Sequence, residues 1–231
     1  MIKTIFLFFL TVATSLPYQP VVRVSGALRT IMMEGDLSAH IQLDTLDKHH
    51  LYALGPVAGL KGELMVLDGQ VYSSTRNGND LLNQQNKISS AAMLVYTLVE
   101  KWKAITFKAN IMGYEALEKL IETTAKTHGY DLDKPLVFKL QGLPQKAGYH
   151  VIHWKAGARH TMENHRQYAY EGQILHSPVT LLGFYSIHHQ TVFTHHTTFM
   201  HVHMLEDKNK ITGHLDQIEL KGPITIYLPE K

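Results

Sequence analysis

The stretch from Thr197 to Leu215 constrains this chain most, because its pattern commits it to a β-hairpin. Along Phe199-Met200-His201-Val202-His203-Met204-Leu205 the side chains alternate. Phe199, His201, His203 and Leu205 share one face, while Met200, Val202 and Met204 point the other way into apolar packing. The polar run Asp207-Lys208-Asn209-Lys210 is a turn signal, after which Ile211-Thr212-Gly213-His214-Leu215 returns. A turn over Lys208-Asn209 or over Asp207 to Lys210 gives the same register, with His203 directly across from His214. Opposed residues have Cβ atoms about 4.5–5.5 Å apart, and His201 lies farther along the same face. Three imidazoles then converge on one side of the hairpin, the arrangement of a three-histidine zinc site with a position left open. The plainer alternative is a polar strand face carrying solvated histidines. The His188-His189 and His195-His196 pairs read as mostly surface residues or residues standing behind the ligands, because neighbours along a strand point to opposite faces and cannot all ligate one ion.

Composition directs attention to the same residues. The chain has no cysteine, which removes disulfide frameworks, thiolate zinc sites, iron–sulfur clusters and cysteine nucleophiles together. It has 16 histidines, 13 of them after residue 120, and histidine is both the commonest metal ligand and the side chain that titrates near neutrality. With 22 basic against 20 acidic residues and a net charge of +2, nothing calls for nucleic acid as a partner. A length of 231 residues, 45% of them apolar, suffices for one large domain or two small ones packed intimately. At the start, Met1-Ile2-Lys3-Thr4 precedes an apolar run from Ile5 to Val12 broken by Thr11, with small residues at Ala13 and Ser15. This reads as a secretory signal over residues 1–16, leaving a domain over 17–231 and an exported chain, periplasmic or secreted. The run falls short of the about 20 apolar residues of a spanning helix, and no later stretch approaches one.

Strand-like runs dominate the remainder. Leu64 to Leu67 leads through the turn pair Asp68-Gly69 into Gln70-Val71-Tyr72. Ile105 to Phe107 and Val137 to Leu140 look like further strands, and a strand-rich stretch runs from Val179 through Tyr227. The unbroken apolar run Ala91 to Val99 fits a buried strand or a buried helix. Tyr114 to His128 predicts a helix, since Leu117, Leu120, Ile121 and Ala125 recur at helical spacing and Gly129 follows as a cap. A second helix is expected within Gly26 to Leu46. The fold class is therefore α+β with mixed, mostly antiparallel sheets.

The run Met200-His201-Val202-His203-Met204-Leu205-Glu206-Asp207, with Gly213-His214-Leu215-Asp216 beyond the turn, resembles the metal-binding hairpin of α-acetolactate decarboxylases. Leu54-Gly55-Pro56 through Gly62-Glu63-Leu64 to Asp68-Gly69 is similar to a second hallmark of that family, a glutamate in a Gly-Glu pair ahead of a strand. Gly183-Phe184-Tyr185 resembles the family's segment before the hairpin, and the likeness runs roughly from Val24 to Leu228. The resemblance implies two closely packed halves around a zinc ion held by His201, His203 and His214, with Glu63 as a catalytic carboxylate. It places His150 where the family has an arginine and Pro56 where it has a threonine. His150 in its protonated form, or Lys146, would then supply the positive charge, though without the bidentate fork of a guanidinium.

The function implied is a zinc-dependent lyase that decarboxylates α-acetolactate to acetoin. A ketone polarised by zinc takes up the electron pair left by carbon dioxide, and a positioned acid protonates carbon. Glu63 is the candidate acid, against the plainer alternative of an ordinary strand-edge carboxylate. The partners expected are a small hydroxy-keto acid and, as one option for assembly, a second copy of the chain as a homodimer. Two other readings compete. A cupin-like metal enzyme also begins with His-x-His, but its last histidine comes from a more distant strand than His214 does. An exported protein that binds zinc or a small ligand, with weakened catalysis, is favoured by the histidine at 150.

Overall fold

The computed structural model describes residues 17–155, 157–158 and 161–230; the expected leader over residues 1–16 lies outside them. Before the long helix the strands are β1 (Arg23–Ser25), β2 (Ile41–Gln42), β3 (Leu51–Pro56), β4 (Glu63–Leu67), β5 (Gln70–Asn77) and β6 (Asp80–Gln85). β7 (Ser90–Ala91), β8 (Leu94–Leu98) and β9 (Lys101–Met112) complete that half and lead into helix α1 (Tyr114–Thr127). Then come β10 (Leu136–Gly142), β11 (Lys146–Val151), helix α2 (Met162–Tyr168), β12 (Tyr170–Ile174), β13 (Val179–Tyr185), β14 (Met200–Glu206) and β15 (Thr212–Glu230).

One sheet has the order β1-β8-β3-β4-β5-β6, and a seven-stranded sheet runs β10-β13-β14-β15-β11-β12 with β9 added alongside β15. All of these pairings are antiparallel, so the α+β expectation holds. The far end of β15 also pairs with β10, which curls the second sheet back on itself. The alternation of apolar residues shows how the layers form. Met200, Val202 and Met204 of β14 join Phe138, Leu181 and Leu215 in a core shared with Leu117, Ile121 and Ala125 of α1. The opposite face of the same strands, with Val137, Leu182, Phe184 and Leu205, packs against Tyr52, Leu54 and Met65 of the first sheet. β13 is buried along its whole length, which is why its sequence is mostly apolar on both faces, Thr180 apart.

Two expectations need correction. The helix expected within Gly26 to Leu46 is present only as a short run over residues 28–34, π-helical at Thr30–Glu34, with a separate 3-10 turn at Leu43–Thr45. Gly35 closes this run in a left-handed conformation, and at its start the first-turn backbone N–H groups of Leu28 and Arg29 donate to the carbonyl oxygens of Val192 and Thr191. The predicted helix at Tyr114 ends one residue short, at Thr127. The ambiguous run Ala91 to Val99 resolves as strand, with β7 and β8 separated by Ala92 and Met93.

Candidate active site

The hairpin folds with the expected register. His203 pairs with His214, Met204 with Gly213 and Leu205 with Thr212, around a loop at Asp207 to Lys210. His150 on β11 pairs with the other side of His214. His203, His214 and His150 therefore form one row across adjacent strands, on the face opposite the helix-side core. Gly213 is required here: a Cβ at that position would lie 2.7 Å from the His150 carbonyl oxygen and from the Tyr149 ring. Between Tyr149 and Gly148 the register with β15 shifts, leaving Asp216 as an extra residue in a β-bulge. Because of the bulge, Leu215 and Ile218 reach the same core although their numbers differ in parity.

The opposite wall comes from the first sheet. Gly62 brings the chain so close to β5 that a Cβ there would lie 2.4 Å from the Ser74 carbonyl oxygen. The next residue, Glu63, opens β4 and points toward the histidines, with Oε2 at 3.5 Å from His203 Nε2. Glu63, His201 and His203 are at most 4% exposed and His214 is 8% exposed, so the cluster is deep on this side. His150, His195 and Asp216 lie at its outer rim, and Asp216 is the most open of them.

Hydrogen bonds fix how the rings are held. His203 Nδ1–H donates to the Leu64 carbonyl oxygen at 2.8 Å, and His214 Nδ1–H donates to Asp216 Oδ1 at 3.0 Å. Both acceptors lack a proton to give, so the Nε2 atoms of these two rings carry bare lone pairs. His203 Nε2 faces His201 Nε2 at 3.2 Å, and His214 Nε2 faces His195 Nε2 at the same distance. The ring centroids of His201, His203 and His214 lie 5.0, 5.1 and 5.9 Å apart. His201 Nδ1 is buried without a hydrogen bond.

The electrostatics separate the groups. Burial pushes the Glu63 carboxyl up to about 7, against the opposing pull of His150 and the Ile152 backbone. Asp216 goes the other way: burial works against it, but N–H groups of His150 and His214 hold it well below the usual carboxylate range. The two imidazoles that share Asp216 also part company. Burial keeps His214 below the usual histidine value, whereas His150, despite its burial, is held above it by hydrogen bonding at 2.8 Å to Asp216 and by that residue's charge. His201 and His203 are pushed well down by burial and by neighbouring imidazoles, with His203 the strongest neighbour of His201 and His214 the strongest of His203. The result is a buried protonatable carboxyl, interior imidazoles held toward their neutral form, and at the rim an imidazole drawn toward its protonated form beside the Asp216 carboxylate.

All five residues singled out from the sequence lie at this site. Lys146, the alternative source of charge, sits four residues along β11 in register with Glu219, away from the histidine row. Sequence reasoning missed Asp216 and His195. Asp216 had a signal, since it stands two residues beyond His214 and strand parity puts both on one face. His195 had none; of the two readings, surface or behind the ligands, the structure supports the second, with its ring reaching His214, but it places the residue on the loop between β13 and β14 and not on a strand. Among the described residues, His150, His214 and Asp216 each bring a ligand atom within 4.8 Å of the others. Their short contacts are the imidazole–carboxylate hydrogen bonds themselves, with the Nε2 atom of His214 turned toward the hairpin histidines.

The Alpha-acetolactate decarboxylase family profile matches residues 26–228. The fold is similar to that of the alpha-acetolactate decarboxylase of Bacillus subtilis strain 168, with 16% identity, 91% of this chain and 85% of that chain covered, and a TM-score of 0.72. It is similar to the acetolactate decarboxylase of Bacillus subtilis subspecies spizizenii, at 15% identity, 91% and 86% coverage and a TM-score of 0.74. A Staphylococcus aureus protein of unknown function, described as similar to alpha-acetolactate decarboxylase, aligns at 16% identity, 90% and 85% coverage and a TM-score of 0.71. No curated protein sequence matches the chain. No helix among the described residues is long and apolar enough to cross a membrane.

Proposed function

The chain belongs to the alpha-acetolactate decarboxylase family, and from that premise we propose that it is a zinc-dependent carboxy-lyase converting α-acetolactate to acetoin. The observation that carries this reading is a carboxyl of one sheet, raised by burial to about 7, whose Oε2 lies 3.5 Å from His203 Nε2 in a cluster of imidazoles on the other sheet. Such a carboxyl is partly protonated near neutral pH, the balance a group needs to give a proton to carbon and regain it.

The residues fit a metal. Nitrogens that ligate one tetrahedral zinc at about 2.0–2.1 Å lie about 3.3 Å from each other. The facing Nε2 pairs, at 3.2 Å, have that spacing. Two of the rings have their Nδ1 protons committed to a carbonyl and a carboxylate, the way metal-binding histidines are oriented. The ligands in this reading are His201, His203 and His214 through Nε2, with Asp216 behind His214. When bound, the ion polarises the substrate's ketone and favours departure of carbon dioxide.

The chain's own residues do the rest. His150, its charge stabilised by Asp216, stands at the open rim, where a substrate carboxylate enters. Glu63, on the closed side, gives its proton to the carbon that loses carbon dioxide and takes another from solvent after product leaves. Each turnover thus breaks one carbon–carbon bond, forms one carbon–hydrogen bond and consumes one proton. The run over residues 1–16 supports placing this activity outside the cytoplasm, in a mature domain over 17–231. Incubating zinc-loaded protein with racemic α-acetolactate tests the reading by release of acetoin and carbon dioxide. Zinc bound stoichiometrically without product would replace it with a ligand-binding role, which the lack of an arginine fork at His150 favours.

A further inference from the structure

We propose that His195 is a fourth imidazole donor to the metal, carried on a loop while the other three donors are carried on strands. The inference rests on the metal reading above and extends it to a residue that the hairpin pattern does not contain. His195 Nε2 lies 3.2 Å from His214 Nε2, and its ring centroid is 5.0 Å from that of His214 and 6.2 Å from that of His201. His214 Nδ1 is committed to Asp216, so its Nε2 is a lone pair and His195 Nε2 must present a proton to it or share a cation with it. The His201–His203 pair repeats this relation at the same distance. Two facing pairs, each with the separation of two ligands on one tetrahedral ion, supply opposite edges of a four-nitrogen site. The two pairs have to close on one another for a common ion by turning of the strand-borne rings, and His195, carried on the loop, is the member whose backbone can follow His214.

The backbone explains why. His203, His201 and His214 sit in β14 and β15, both hydrogen-bonded within the sheet. His195 follows Phe193 and Thr194, both fully buried, and precedes His196 and Thr197, both exposed. The loop is anchored at its base, where Ser186 N–H donates to the Phe199 carbonyl oxygen. His195 thus stands where the loop passes from a fixed to a solvated part. With it in place four nitrogens close the coordination sphere; with it withdrawn one position opens for an oxygen ligand. Four-coordinate sites closed by protein are structural, and catalytic ones keep a position open, so the loop would set which of the two this site is.

The test compares wild type, His195→Ala, His195→Gln and the neighbouring exposed-residue control His196→Ala. Zinc affinity is measured by competition with a chromophoric chelator, and donor type by the visible absorption of cobalt-substituted protein. Loss of His195 in either variant should weaken zinc binding by roughly tenfold or more and alter the cobalt spectrum, with His196→Ala unchanged on both counts. His195→Gln keeps the bulk of the loop, so agreement between the two variants shows that a lost donor and not a collapsed loop is responsible. Affinity and spectrum in both variants equal to wild type would overturn the inference and leave the three-histidine site standing. Failure of the wild type to bind zinc or cobalt would overturn both.

Discussion

Two ionisable groups, Glu63 fully and Lys139 partly buried, lie between the same pair of sheets, and they meet different company. Glu63 faces imidazoles with bare nitrogens, and burial pushes it up to about 7. Lys139 on β10 lies 4.3 Å from the ring centre of Trp102 and 5.0 Å from those of Tyr52 and Tyr227, and burial pushes it down to about 8 against the pull of Asp68. Burial does the same thing in both places, favouring the uncharged form. The neighbours decide whether that shift serves chemistry. Aromatic faces attract a cation but neither take nor give a proton, so the lysine box joins Tyr52 of one sheet to strands of the other. Glu63 has an imidazole within 3.5 Å, and a shifted pKa there has somewhere to send its proton. A perturbed pKa alone does not mark a site; a perturbed pKa among convertible partners does.

The comparison can be broken at four places. His203→Ala removes the residue at the centre of the cluster, and should abolish both zinc binding and acetoin formation; chelation of wild type should do the same and lower its melting temperature, with zinc restoring both. Retained turnover after verified metal loss would end the metal reading. Glu63→Gln comes next. It should keep the fold and the zinc affinity while turnover falls by about 10²–10⁴-fold, the usual share of a general acid. A variant as active as wild type would remove Glu63 from the chemistry and make it a second structural burial like Lys139. Asp216→Asn should weaken zinc binding by roughly 10–100-fold, as the loss of a carboxylate behind a ligating histidine does. It should also lower the pKa of His150, read by the ring proton shifts in NMR spectra, because Asp216 is what raises it.

The smallest effect belongs to the lysine box. Lys139 has a folded pKa of about 8, below the unfolded value of about 10.5, so between these values the unfolded chain binds more protons. Its contribution therefore becomes more favourable as pH rises from about 8 to about 10.5. Since Lys139 is partly open to solvent, the slope will be shallow. Lys139→Met should flatten it in urea titrations and leave acetoin formation at neutral pH unchanged. A Lys139→Met protein with lost turnover but an unaltered stability profile would put the lysine in the chemistry and dissolve the contrast.

The range of each interaction sets how far the fold and the site are legible in the sequence. The hairpin is readable because parity and an even turn are local: Met200, Val202 and Met204 can face a core only by turning His201 and His203 the other way. The helix at Tyr114 is readable for the same reason. The match of Glu63 to the histidines needs a resemblance, since β4 and β14 belong to different sheets and no spacing along the chain reports their approach. His195 escapes because loops carry no parity. The segment from Gly26 to Leu46 misleads in length, because Gly35 ends its helical run at Glu34 and Ile31 is the residue that run buries.

The β-bulge at Asp216 has a consequence for how this chain can vary. β15 spans Thr212–Glu230, and its near part carries a site residue while its far part pairs with β9 and β10. A strand of unbroken alternation would lock those tasks in phase, so that any change in one face would be written into the other. The extra residue resets the phase between them. Deleting one residue from the bulge would turn either the histidine side or the core side of β15 inside out, whereas exchanging the exposed Gln217 would disturb neither. The two ends of one continuous strand are thus free to drift separately in sequence, with the slip at Asp216 as the position whose length must stay constant.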